Sequence, residues 1–100
     1  MSGEGSAVGL VEVRGLTGAI GAADVMAKAA PVRIGSPVLI GDGLVTIVCR
    51  GSIAAVAEAV AAGSDAAGRL GTLIGGRTFG RLYPEVDRAF RFEGRERSPS

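Results

Sequence analysis

Two apolar runs, Val38-Leu39-Ile40 and Leu44-Val45-Thr46-Ile47-Val48-Cys49-Arg50, are separated by Gly41-Asp42-Gly43, and this junction constrains the chain more than any other feature. β-Branched residues favour extended backbone, and an Asp-Gly pair tolerates the positive φ that tight hairpin turns require. A hairpin is therefore expected near the middle of the chain, and the segments on either side must pack against it. Before it, Val32-Arg33-Ile34 extends the same strand, interrupted by a bend at Gly35-Ser36-Pro37.

The flanking segments repeat one pattern. Ala7 to Arg14 reads as a strand, with Val11 and Val13 on one face and Glu12 and Arg14 on the other, ended by Gly15. A helix follows, capped by Thr17 and running to about Ala30, with Ala19, Ala22, Ala23, Met26, Ala27 and Ala30 on its inner stripe. Pro31 blocks its continuation. After the hairpin, Ser52 caps a second helix to about Leu70, with Ile53, Val56, Val60, Gly63, Ala67 and Leu70 facing inward. Leu73 to Phe79 is a strand weakened by Gly75-Gly76, and Pro84 to Phe90 forms a short helix with proline at its first position. The order β-α-β-β-α-β predicts an α/β (α+β) domain with the split βαβ arrangement: a four-stranded antiparallel sheet, two helices on one face and a short C-terminal helix. One domain is expected over residues 7–90. Met1 to Ser6 and residues 91–100 (RFEGRERSPS) are expected to be tails too polar to pack.

Of the 100 residues, 47% are apolar and 21% charged, and so short a chain buries a smaller share of its surface than a large domain does. Apolar surface should be left over, and water penalises it at roughly 25 cal/mol per Å² until something covers it. Self-association is the expected remedy. A net charge of +1 with mixed signs argues against nucleic acid or an anionic membrane as the partner. Short, interrupted apolar stretches and a first segment without basic and apolar regions point to a cytoplasmic protein.

Chemistry is poorly served. The chain has no histidine, which removes the commonest general base and metal ligand, so neither a catalytic site nor a metal or cofactor is expected. The single cysteine, Cys49, lies in an apolar run and reads as core filler. Asp24 and Lys28 are four apart, as are Asp65 and Arg69, a spacing suited to solvated ion pairs on a helix surface. The glycines of Gly15-Leu16-Thr17-Gly18-Ala19-Ile20-Gly21 fall three apart, which is wrong for a dinucleotide-binding turn and suits close helix packing. The central strand also lacks the aromatic residues with which RNA-recognition modules of this strand order stack bases.

Three stretches in this order, Val11-Glu12-Val13-Arg14-Gly15-Leu16, Asp24-Val25-Met26-Ala27-Lys28-Ala29-Ala30 and Ile40-Gly41-Asp42-Gly43-Leu44-Val45-Thr46, carry a family resemblance. With Val48 to Val56 and Ala61-Ala62-Gly63, the chain closely resembles the single-domain, hexamer-forming shell proteins of bacterial microcompartments over nearly all of Ala7 to Phe90. The resemblance implies a structural protein without catalysis, located in a cytoplasmic microcompartment shell. Its implied partners are five further copies of itself, other shell proteins and possible contacts with encapsulated enzymes. It implies that Gly41, Asp42 and Gly43 line a pore on the sixfold axis, and that Lys28, with Asp24 beside it, lies at the hexamer edge. Arg81 matches the arginine of the family's Pro-Arg-Pro-His stretch and is implied to lie at the hexamer edge as well, whereas Gly80, Leu82 and Tyr83 depart from that stretch. Asp42 stands where relatives often carry a small neutral residue, and no basic residue precedes the turn. This suggests a pore favouring cationic or neutral solutes and a catabolic compartment rather than a carboxysome. The competing expectation from the same strand order is a trimeric ligand-binding regulator.

Overall fold

The computed structural model describes residues 7–89; the expected tails lie outside them, as does Phe90. The elements in order are β1 (Ala7–Arg14), α1 (Leu16–Ala29), β2 (Arg33–Ile34), β3 (Val38–Gly41), β4 (Leu44–Gly51), α2 (Ile53–Leu70), β5 (Thr72–Phe79) and α3 (Pro84–Ala89). The sheet is antiparallel throughout, with spatial order β2-β4-β1-β5, and β3 also pairs with β4. β2 and β3 are the two halves of the expected second strand, lying end to end along β4. Between them Gly35 N–H still donates to the Val48 carbonyl at 2.8 Å.

β1 and β4 pair along their whole lengths, Ala7 opposite Gly51 and Arg14 opposite Leu44. One face of this pair presents Val11, Val13, Val45, Ile47 and Cys49, all buried, to α1 and α2. The helices answer mainly with small residues, Ala19 and Ala22 from α1 and Ala55, Val56, Ala59, Val60 and Ala67 from α2, together with the larger Met26 of α1. Short side chains let the helix axes come close to each other and to the sheet. The approach is tight at Gly9, where a Cβ would lie 2.5 Å from Val60 Cγ2, 2.7 Å from Val56 Cγ1 and 2.9 Å from Cys49 Sγ.

Three details of the helices differ from expectation. Thr17 does not cap α1: the helix starts at Leu16, immediately after Gly15, whose φ of 105° turns the chain out of the strand. Ala27, expected on the inner stripe, is exposed. Ile53 and Leu70, expected inside, are 54% and 52% exposed because they stand at the two ends of α2, beyond the sheet-facing stretch. Ser52 does cap α2, its Oγ accepting from Ala55 N–H at 3.1 Å.

β5 is also less interrupted than its glycines suggest. Gly75 and Gly76 pair with Glu12 and Val11, and the register shift falls at Ile74, between Leu73 and Gly75. A Cβ on Gly76 would meet Ser64 Oγ at 2.5 Å, so this glycine admits α2 rather than breaking the strand. On the sheet's other face, Arg50 Nη2 donates to Asp87 Oδ1 at 2.5 Å and ties α3 to β4. No helix among the described residues is long and apolar enough to cross a membrane.

Gly9→Ala tests the tight centre. Val56, Val60 and Cys49 are short side chains on regular elements and have little room to move. The substitution is expected to destabilise by about 2–3 kcal/mol, read as a lower midpoint in urea with an unchanged slope.

Candidate functional site

The hairpin between β3 and β4 closes through the two residues Asp42 and Gly43, with Gly41 paired to Leu44. Asp42 has φ 55° and Gly43 φ 78°, positive at both central positions as in a type I′ turn. Gly41 adds φ 118°, so three successive residues lie in a region that side chains disfavour, and glycine occupies two of them. All three are exposed. The turn is held to the end of β1: Arg14 Nη1 donates to the Asp42 carbonyl at 2.7 Å and Gly15 N–H donates to the Gly43 carbonyl at 2.8 Å.

Asp24 and Lys28 lie on the outward face of α1. Lys28 Nζ donates to Asp24 Oδ2 at 2.8 Å, with side chains 59% and 74% exposed for acid and base respectively. A solvated pair of this kind contributes a few tenths of a kcal/mol to the helix at about 25 °C. Asp65 and Arg69 of α2 form a second such pair at 3.3 Å. Arg81 is exposed in the segment between β5 and α3, and no ion pair among the described residues joins it to Asp24. The structure thus brings Asp24 to Lys28 and assembles the turn.

Sequence reasoning missed Arg14 as a partner of the turn and Arg50 as the partner of Asp87. Both arginines alternate with core residues on β1 and β4, so their outward direction was legible. Their partners depend on strand register and on where α3 docks.

Large apolar residues remain exposed on several sides of the single chain. They include Leu16 and Ile20 on α1, Val38, Leu39 and Ile40 on β3, and Leu73, Ile74 and Phe79 on β5. Leu39 is 71% exposed and Tyr83, just before α3, 79%. The surface left over by so short a chain is present and adjoins the turn, since β3 leads directly into it.

These features belong to a known class. The BMC-domain model matches residues 7–79, and the chain belongs to that family, the shell proteins of bacterial microcompartments. A carboxysome shell protein of Hydrogenovibrio crunogenus is 45% identical over 94 residues, covering 93% of this chain and 98% of the relative. The major carboxysome shell protein of Halothiobacillus neapolitanus is 45% identical over 84 residues, covering 83% and 86%. A crystal structure of a microcompartment protein from Desulfitobacterium hafniense superposes with a TM-score of 0.72 at 31% identity, covering 80% of this chain and 43% of that longer one.

The chain is accordingly a structural shell protein of a bacterial microcompartment in the cytoplasm and not an enzyme. The regulator alternative gives way to this assignment. The expectation of a catabolic compartment finds no support among these relatives, two of which are carboxysome proteins.

Cys49 bears out its reading as core filler. It is fully buried, and burial pushes its thiol from 9.0 up to about 11, against a smaller downward pull from a hydrogen bond with the Gly9 backbone. The unfolded chain ionises this thiol about 2 pH units earlier than the folded one. The stability linked to Cys49 is therefore whole below pH 9 and is lost as pH rises toward 11. Disulfide-exchange labelling at pH 8 is expected to run at least about a hundredfold slower on the native protein than on the urea-unfolded chain. Equal rates would show an accessible thiol.

Proposed function

We propose that the chain is a tile: six copies close into a flat ring, the Gly41-Asp42-Gly43 turns line an opening on its axis, and Asp24, Lys28 and Arg81 stand at its outer edge. The observation that carries this reading is the 45% identity, over nearly the full length of both chains, to a carboxysome shell protein. The fold supplies the physical support. Exposed apolar residues on β3, α1 and β5 leave the isolated chain with surface that a neighbouring copy would cover. The turn is short, exposed and held rigidly by β1, as a rim needs to be.

The same relatives favour a carboxysome-type shell, with other shell proteins as neighbours and enclosed enzymes as possible further contacts. Asp42 gives this tile a particular character. A ring of carboxylates attracts cations and discourages anions: two unit charges about 8 Å apart in water repel by roughly 0.5 kcal/mol, and several around one axis add. The opening is proposed to pass cationic and neutral solutes more readily than anions.

At the edge, Lys28 is held by Asp24 close to the helix surface, where a neighbouring tile would meet both. Electron microscopy of the purified protein is expected to show hexagonally ordered sheets. Lys28→Ala should reduce the sheets severely while leaving the mass of the single tile unchanged. Sheets that form equally well without Lys28 would remove it from the edge. Permeation of a small amine and a small carboxylate through the sheets should differ in favour of the amine, and Asp42→Asn should remove that advantage. Equal permeation in both proteins would end the charge preference.

A further inference from the structure

We propose that Arg14 holds the Gly41-Asp42-Gly43 turn in shape and balances the charge that a solute meets there. The second half rests on the pore reading above, and the first does not.

Arg14 is the last residue of β1, on the sheet face away from α1 and α2, directly opposite Leu44, the first residue after the turn. Its Nη1 donates to the Asp42 carbonyl at 2.7 Å, and its Cγ lies 3.8 Å from where a Cβ on Gly43 would sit. The next residue, Gly15, donates its N–H to the Gly43 carbonyl at 2.8 Å, and the Gly15 carbonyl accepts from Ala19 N–H at 3.1 Å. The last residue of β1 and the one that follows it therefore take the Asp42 and Gly43 carbonyls, and the second also begins α1. A bond from an ionised donor is stronger than a neutral one, and the acceptor here belongs to the one non-glycine residue held at positive φ among those described. Arg14 thereby secures the backbone that side-chain sterics least favour.

The same contact fixes a charge. The guanidinium meets the main chain of Asp42, so covalent reach keeps it within about 8 Å of that residue's carboxylate. That is about one Debye length at physiological salt, and the two charges act on each other and on any ion nearby. In a ring of copies, each carboxylate is backed by a guanidinium. The cation preference of the opening is a balance of two opposed rings, and Arg14 is the residue that limits it. Removing Arg14 should sharpen the preference for cations, and removing the Asp42 charge should reverse it.

Amide hydrogen exchange on the full-length protein tests the holding role, whatever the assembly. In Arg14→Gln the Gly15 amide should exchange about tenfold faster, the effect of losing one charge-assisted bond next to it. The Ala55 amide, at the cap of α2 on a different element, should be unchanged, and Arg14→Lys should fall between. An unchanged Gly15 rate, or an equal rise at Ala55, overturns the holding role.

The charge role is read from reversal potentials of the assembled protein in a planar lipid bilayer under a potassium chloride gradient. Relative to the wild type, Arg14→Gln should shift toward cation selectivity, Asp42→Asn toward anion selectivity, and the double variant should lie between them. Identical potentials overturn the charge role. Absence of any conductance in a protein whose turn still responds to Arg14→Gln overturns the pore reading and the charge role together, and leaves the holding role standing.

Discussion

The close approach of α2 to the middle of β1 is the constraint on which the rest of the structure depends. Gly9 leaves no room for even a methyl group beneath Val56, Val60 and Cys49, and Gly76 leaves none beneath Ser64. Because α2 sits so low, β4 and β5 lie on either side of β1 under a single helical layer lined mainly with alanine. A thin, small-residue core of this kind buries little per residue. Its stability comes from close packing rather than from large side chains. Met26 and Ile47 are the largest side chains it encloses, and many of the other long apolar residues are left at the periphery on β3, on β5 and on the helices.

That distribution connects folding to assembly. Leu39, Ile40, Ile20 and Leu73 would each fill a core in a larger domain, yet here they face outward. Exposed apolar groups on several sides of one chain suit the repeated array proposed for it, in which neighbouring copies would cover them. The two-residue hairpin fits the same logic. It projects no bulky side chain, its carbonyls are engaged from behind by Arg14 and Gly15, and the charge of Asp42 is the chemical feature it leaves on display.

Much of this was legible in the sequence, for reasons that can be named. Alternation located β1 and β4 to the residue or nearly so, the Asp-Gly turn was legible from backbone preference, and Ser52 signalled the start of α2. The inner stripe of α1 was read one step out at Ala27 because alanine is equally at home inside and outside. Gly18 is buried against Gly71 and Val13, as the close packing expected of the glycines in residues 15–21 requires. Ile53 and Leu70 were misplaced because helical periodicity says which face a residue occupies, not how far the sheet beneath it extends. Gly75-Gly76 looked like a break because a glycine's role depends on the neighbour above it, which no local pattern contains. The links from Arg14 to the turn and from Arg50 to Asp87 were invisible for a related reason. They span 28 and 37 residues and follow from register and docking rather than from spacing.

The proposed tile depends most on the number of copies that associate. Light scattering coupled to size-exclusion chromatography measures it without reference to sheets or solutes. One chain has a mass of 10.0 kDa, and a stable species of about six times that value is the result expected of a tile with a central opening. A monomer or a trimer would contradict it, because the turn would then line no axis of six and its charge would serve only the hairpin.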